Sequence, residues 1–114
     1  MTVGEIAQAL SLAVLAGRSQ MERKVTAGYA SDMLSCVMAK ARQGNLWVTL
    51  QAHPNIVAVA VLLELAGIVV TEGAHPDAAT LKKADEEGIA ILSSPKGTFT
   101  VVGQLAQQGI QGVE

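Results

Sequence analysis

Cysteine is almost missing from this chain. Cys36 stands alone, so no intramolecular disulfide and no Cys-x-x-Cys metal or redox pair can form. Aromatic residues make up only 3% of the 114 residues, and a core must therefore be built from Ala, Val, Ile and Leu. Charged residues are sparse at 16%, net to -2, and leave Lys and Arg scattered rather than gathered into a basic stripe, which excludes nucleic acid as the expected partner. Long apolar runs are absent too. Nothing reaches the roughly 18 continuous apolar residues of a membrane span. The apolar N-terminal segment is broken by Gln8 and Ser11, follows Glu5 and lacks the basic start of a signal peptide. The expected compartment is the cytoplasm, away from membrane. The glycines at 67, 73, 88 and 97 fit neither a Gly-x-Gly-x-x-Gly fingerprint nor a Walker motif, and no Gly-x-Ser-x-Gly elbow frames a serine. With 50% hydrophobic residues the chain is nonetheless expected to fold, as one domain over 1–114.

What is present is a repeat. Leu46-Trp47-Val48-Thr49-Leu50-Gln51-Ala52-His53-Pro54-Asn55 lies over Ile68-Val69-Val70-Thr71-Glu72-Gly73-Ala74-His75-Pro76-Asp77 at a shift of 22 positions, from 46 to 68. Each copy is a short apolar run, a polar loop and a helix-length segment, one β-loop-α unit used twice. Expected strand centres near Ala27, Val48, Val70 and Leu92 keep about the same spacing. Regular alternation of this kind predicts an α/β fold, a three-layer α/β/α sandwich with a mainly parallel sheet of about five strands. The small and β-branched composition suits parallel strands covered by helices.

Taken in order, Thr2 with Glu5 three positions on fits a capping box for a first helix, with Ile6, Ala9 and Leu10 on its apolar face. Residues 12–15 predict a short edge strand and residues 25–29 a second strand. Ser31 or Asp32 is placed to cap a helix over 33–42 whose inward face would hold Met33, Leu34, Val37, Met38 and Ala41, with Cys36 among them as a small hydrophobe. A strand over 46–50 leads to Pro54, which fits a first helical turn. Residues 56–66 alternate as a strand would, yet predict a helix, because parallel pairing of the flanking strands needs a crossover. A helix apolar all round must be buried on more than one side, and in so small a domain the second side is expected to meet another copy of the protein. Trp47, Val57, Val61, Leu62 and Leu65 are the candidate contacts of that homodimer. After a strand over 68–71, Asp77 or Thr80 opens a polar helix closed by Gly88. A last strand over 89–92 is followed by a helix over 98–108 with Phe99, Val102, Leu105 and Ala106 inward.

In open parallel sheets, ligands bind beyond the carboxyl ends of the strands. The candidate ligand-binding residues are therefore Ser31 and Asp32, then Gln51, His53 and Asn55, then Thr71, Glu72, Gly73 and His75, then Ser93 and Ser94. They suit a small anionic or nucleotide-like molecule. The plainer account is that loops are polar because exposed backbone needs partners and water. The repeat would set His53 and His75 about a strand spacing apart, but no carboxylate or cysteine beside them completes a ligand set, so no metal and no cofactor is expected. His-Pro starting a helix explains both. A rival reading, a small enzyme or transferase fragment using His53, His75 and the Ser93-Ser94 loop, needs both imidazoles and a serine to converge on one reacting atom. No catalytic residue is assigned. A third reading is a structural dimerisation domain with no ligand.

Three stretches carry a family resemblance: Gly28-Tyr29-Ala30-Ser31-Asp32-Met33-Leu34-Ser35, Trp47-Val48-Thr49-Leu50-Gln51-Ala52-His53-Pro54-Asn55-Ile56-Val57-Ala58-Val59-Ala60, and Leu65-Ala66-Gly67-Ile68-Val69-Val70-Thr71-Glu72-Gly73. In order and wording they resemble a DRTGG domain from Ile6 to Ile110. The literal Asp-Arg-Thr-Gly-Gly string is missing. Its nearest fragment is Thr71-Glu72-Gly73, and Gln51-Ala52-His53 stands where some relatives carry an acidic-basic pair. The resemblance implies a fold like the N-terminal domain of HPr kinase/phosphorylase, itself similar to the nucleotide-sugar-binding domain of Mur ligases. Similar domains sit inside some phosphotransacetylases and beside paired CBS modules in some pyrophosphatases, where the reaction belongs to another domain. What it implies here is an accessory: a sensor, an assembly module, or both. Joined to the apolar helix over 56–66, this gives the leading expectation, a non-catalytic homodimeric module that takes a small ligand or a protein partner.

Overall fold

The computed structural model describes residues 1–113. Its elements run α1 (Val3–Ala9), β1 (Ala13–Ala16), β2 (Ala27–Ala30), α2 (Leu34–Lys40), β3 (Asn45–Thr49), α3 (Asn55–Leu63), β4 (Gly67–Val70), α4 (Ala78–Glu87), β5 (Ala90–Ser93) and α5 (Thr98–Gln107). The five strands lie in the order β1-β5-β4-β3-β2, with β2 to β5 parallel and β1 antiparallel on the edge beside β5. The architecture is the predicted one, a mainly parallel five-stranded sheet between two helical layers. The capping box also forms: the Glu5 amide donates to Thr2 Oγ1 at 3.1 Å and the Thr2 amide to Glu5 Oε1 at 2.8 Å.

Strand order decides the layers. Because β2, β3, β4 and β5 are neighbours in chain order, their right-handed crossovers all fall on one side, which puts α2, α3 and α4 together on one face. One apolar cluster there joins Val37 of α2, Ile56, Val57 and Ala60 of α3 and Ala84 of α4 to Trp47, Ile68, Val70 and Ile91 of the sheet. The other face is covered by the two helices outside the crossovers. Ile6 of α1 and Val101 and Leu105 of α5 pack there on Leu46, Val48, Val69 and Leu92. Strand residues thus alternate between two cores, and β3 and β4 are buried along their whole length. Each fully buried Val, Leu or Ile contributes roughly 1.5–3 kcal/mol. After α5 the chain crosses to the far edge, where the Gly28 amide donates to the Gln111 carbonyl at 2.8 Å and the Val113 amide to the Gly28 carbonyl at 3.3 Å. The tail shields the β2 edge at that point.

Several expectations are corrected. The strand expected over 25–29 is displaced to Ala27–Ala30, because Val25 instead donates its amide to the Met1 carbonyl at 2.9 Å. The N-cap position of α2 is held by Met33, not Ser31 or Asp32, and no side chain caps the helix there. Met33 and Met38 do not face inward. They are 61% and 47% exposed, Cys36 is half-buried, and the helix docks through Val37 and Ala41. Helix α3 ends at Leu63, with Glu64 in the left-handed region at φ 55°. Trp47, Val57 and Leu65 are fully buried within the chain, so none of them is free to touch a second copy. Phe99, Val102 and Ala106 also face outward rather than into the core.

Candidate functional site

Loops leave the carboxyl ends of β2, β3 and β4 toward the face that carries α2, α3 and α4, whereas the loop after β5 leads to α5 on the opposite face. Adjacent strands whose loops diverge mark the switch point of an open sheet, and here it lies between β4 and β5. Thr71, Glu72, Gly73, Ser94, Lys96 and Thr98 meet there. The chain itself stitches the two loops together: the Glu72 amide donates to the Lys96 carbonyl at 2.8 Å, the Gly73 amide to the Ser94 carbonyl at 3.4 Å, and the Thr71 and Thr98 hydroxyls share a 2.6 Å bond.

Glu72 is the unusual residue in this cluster. It is a non-glycine in the left-handed region, at φ 61°, beside Gly73 at φ 69°. That backbone costs an L-residue roughly 1–2 kcal/mol. It aims the carboxylate at the start of α5, where Glu72 Oε2 accepts the Thr98 amide at 2.7 Å. Helix α5 has no cap of its own, since Gly97 precedes it and no adjacent side chain bonds its first amides. An anion at a helix N-terminus is favourable through both the orphan amides and the dipole. The position where a ligand phosphate would bind is thus filled by a carboxylate of the chain.

A second cluster holds the ends of β2 and β3. Asp32 Oδ1 accepts the Thr49 hydroxyl at 2.8 Å and the Leu50 amide at 2.9 Å, and Gln51 Nε2 donates to the Asp32 carbonyl at 3.0 Å. Ser31 is fixed from both sides: its Oγ accepts the Met33 amide at 3.1 Å and its carbonyl the Trp47 indole N–H at 2.8 Å. The buried tryptophan therefore anchors the loop after β2 from the core. Thr49 and Thr71 link the two clusters, the Thr71 amide donating to the Thr49 carbonyl at 3.0 Å. Among the described residues, Asp32 Oδ2 and Glu72 Oε1 take no hydrogen bond. The strands that lead to them, β2 and β4, are separated by β3, which puts those strands about two spacings, or ~10 Å, apart.

The histidines lie outside both clusters. His53 and His75 are exposed, and His53 Nδ1 accepts the Asn55 amide at 3.1 Å, closing the first turn of α3. Ser93 is the last residue of β5, and Ser94 Oγ accepts the Lys96 amide at 3.1 Å. No hydrogen bond joins either imidazole to either serine among the described residues, and no three His, Cys, Asp or Glu gather to hold a metal ion there. The loops carrying the two histidines are bridged instead by Thr80, whose single hydroxyl proton has two acceptors within reach, Asp77 Oδ1 at 2.8 Å and the Ala52 carbonyl at 3.2 Å. Bonds from the Thr80 amide and then its hydroxyl hold the Asp77 carboxyl below the usual carboxylate range, with the charge of His53 acting the same way.

The sequence reading missed Thr49, Thr98 and Lys96. The signal for Thr49 was present, because the repeat superposes it on Thr71 and the two are bonded neighbours. Nothing local marked Thr98, whose role comes from Glu72 on another loop.

Fold and rim together define an open α/β module with its strand-end loops along one rim, built on repeated β-loop-α units. The family profile of the DRTGG domain matches residues 5–108, and the chain belongs to that family. Among solved structures, it is similar to the CBS and DRTGG domains of the regulatory region of Clostridium perfringens pyrophosphatase, a structure complexed with the activator diadenosine tetraphosphate. The TM-score is 0.74 at 17% identity, over 93% of this chain and 46% of that one. This chain thus spans less than half the length of the chain it resembles. No curated protein matches the sequence. Among the described residues no helix is long and apolar enough to cross a membrane.

Proposed function

We propose that the chain is a non-catalytic regulatory module that works as a homodimer and takes a small nucleotide-like ligand at the carboxyl ends of its strands. The observation that carries this reading is the preorganised rim, with one uncommitted oxygen on Asp32 and one on Glu72 held by bonds from neighbouring loops. Carboxylate oxygens accept from hydroxyl and amino groups. The ligand is therefore recognised through donors such as ribose hydroxyls or a base amine, and its phosphates stay clear of the α5 N-terminus that Glu72 fills. Membership of the DRTGG family supports the regulatory role, as does the likeness to a regulatory region crystallised with a dinucleotide activator.

A thermal-shift series on the whole chain with adenosine, AMP, ATP and diadenosine tetraphosphate tests it, since a ligand that binds only the folded state raises Tm by mass action. The expected result is a rise shared by the nucleoside-bearing compounds and lost in Asp32→Asn, with inorganic phosphate inert. A flat response to the whole series would leave the second reading, a ligand-free assembly module. That reading is favoured by the bonds that already tie the loops after β4 and β5 together.

A further inference from the structure

Helix α5 carries two apolar stripes. Val101 and Leu105 are buried against the sheet. Phe99, Val102, Gly103 and Ala106 follow the i, i+3, i+4, i+7 spacing of a packed helix face, yet all four are exposed, Phe99 to 93% and Val102 to 38%. Gly103 is the second anomaly. A glycine inside a helix costs roughly 1 kcal/mol relative to alanine, and a Cβ added here would meet nothing within 4 Å. Its lack of a side chain serves no contact within the chain. Charge is the third: residues 97–113 contain no Asp, Glu, Lys, Arg or His. Beside the exposed stripe, a groove of about 260 Å³ runs between α5 and the edge of β2, lined by Tyr29, Val102, Ala106 and Ile110.

From these features we infer that α5 is the self-association surface, packing antiparallel on α5 of a second copy about a two-fold axis at Gly103. This rests on the homodimer of the proposed function and assigns its contact. At 1.5 Å per residue, Phe99 lies about 6 Å before the axis and Ala106 about 4.5 Å after it. A two-fold operation therefore sets each Phe99 over the partner's Ala106 and into the adjoining groove, and satisfies both copies at once. Gly103 lets the two backbones approach at the crossing. Absence of charge and a protruding aromatic are what the core of such an interface requires. The competing apolar surface, Ala58, Val61 and Leu62 on α3, has no aromatic, and its groove is bordered by Lys83 and Glu87.

Sedimentation velocity across a dilution series of the whole chain tests the assignment, with circular dichroism to show that each variant is folded. The wild type is expected to be dimeric. Phe99→Ala removes two anchors per dimer and weakens it on the order of a thousandfold. Gly103→Glu, which meets open space in the isolated chain, places like charges across the axis and gives a monomer. Leu62→Glu stays dimeric. A wild type that is monomeric at millimolar concentration overturns both the homodimer and this surface. A dimer untouched by Phe99→Ala and Gly103→Glu, or one dissociated by Leu62→Glu, overturns the surface alone.

Discussion

Helices α3 and α5 lie on opposite faces of the same sheet, and their sequences mislead in opposite ways. Helix α3 is apolar almost throughout, which suggests a helix buried on every side; in the fold, Ile56, Val57, Val59 and Ala60 are buried while Ala58, Val61 and Leu62 meet solvent. Helix α5 looks ordinary, with apolar residues interleaved with Thr, Gln and Gly. Yet its buried side needs only Val101 and Leu105, and the sole phenylalanine of the chain points away. Hydrophobic content measures how much surface a helix could bury. Which part it does bury is set by the direction from which the sheet approaches, and that follows from strand order.

The largest effect should come from the inner side of α3. Ile56→Ala leaves a cavity in a core with 0% exposure and is expected to cost about 2–5 kcal/mol. Leu62→Ala, at 65% exposure, should stay within about 0.5 kcal/mol. Urea denaturation read at dilute protein measures both. Equal losses would mean that the α3 stripe is covered and that the contrast with α5 is lost.

Next comes the cap of α5. Glu72→Ala removes the carboxylate from the Thr98 amide but keeps the left-handed backbone, so it should destabilise by roughly 1–2 kcal/mol. Glu72→Gly loses the same cap and relieves the strain, recovering about 1 kcal/mol of it. The difference between the two variants isolates the backbone cost at φ 61°. If the two melt together, that residue holds no strain and Glu72 serves α5 by its charge alone.

Gly103→Ala should act with the opposite sign. In the Phe99→Ala background, where association no longer contributes, alanine is expected to stabilise the chain by roughly 0.5–1 kcal/mol, through helix propensity and a less flexible unfolded state. A loss of stability there would show that the glycine answers to a need within the chain.

These contrasts also mark where sequence reasoning reaches and where it stops. The repeat aligned Leu46 with Ile68, and with the strand spacing it carried the sheet, because every β-α unit writes the same local pattern. The capping box at Thr2 and Glu5 and the Gly88 stop were legible for the same reason: their partners are three or four residues apart. The errors concern direction. Met33, Met38 and Phe99 were turned inward on periodicity alone, and a period fixes which residues share a face without fixing which face meets the sheet. Trp47, the lone tryptophan, opens a strand and reads equally as packing or as a subunit contact; in the fold it is packing, fully buried with its indole N–H taken up by the Ser31 carbonyl. Of the rim, the loops were foreseeable; the Glu72 to Thr98 bond joins residues on separate loops and could not be seen in either.

The smallest effect separates helices capped from their own chain neighbours from α5, which is capped from another loop. The Asp77 carboxyl is held below its ordinary range by the Thr80 amide and hydroxyl, and Glu5 likewise by Thr2. A carboxyl that ionises more readily when folded adds stability that is complete above its unfolded pKa and is lost as pH falls through the lower folded value. Asp77→Asn keeps an acceptor for the Thr80 amide and removes the charge. The stability gap between wild type and Asp77→Asn should therefore be present at about pH 5 and close as the pH falls below about 4, where aspartates protonate. Thermal melts of both proteins at a series of pH values measure it. A gap that persists undiminished into strong acid would mean that the helix gains from the shape of the cap rather than from its charge, and would extend the same conclusion to Glu5.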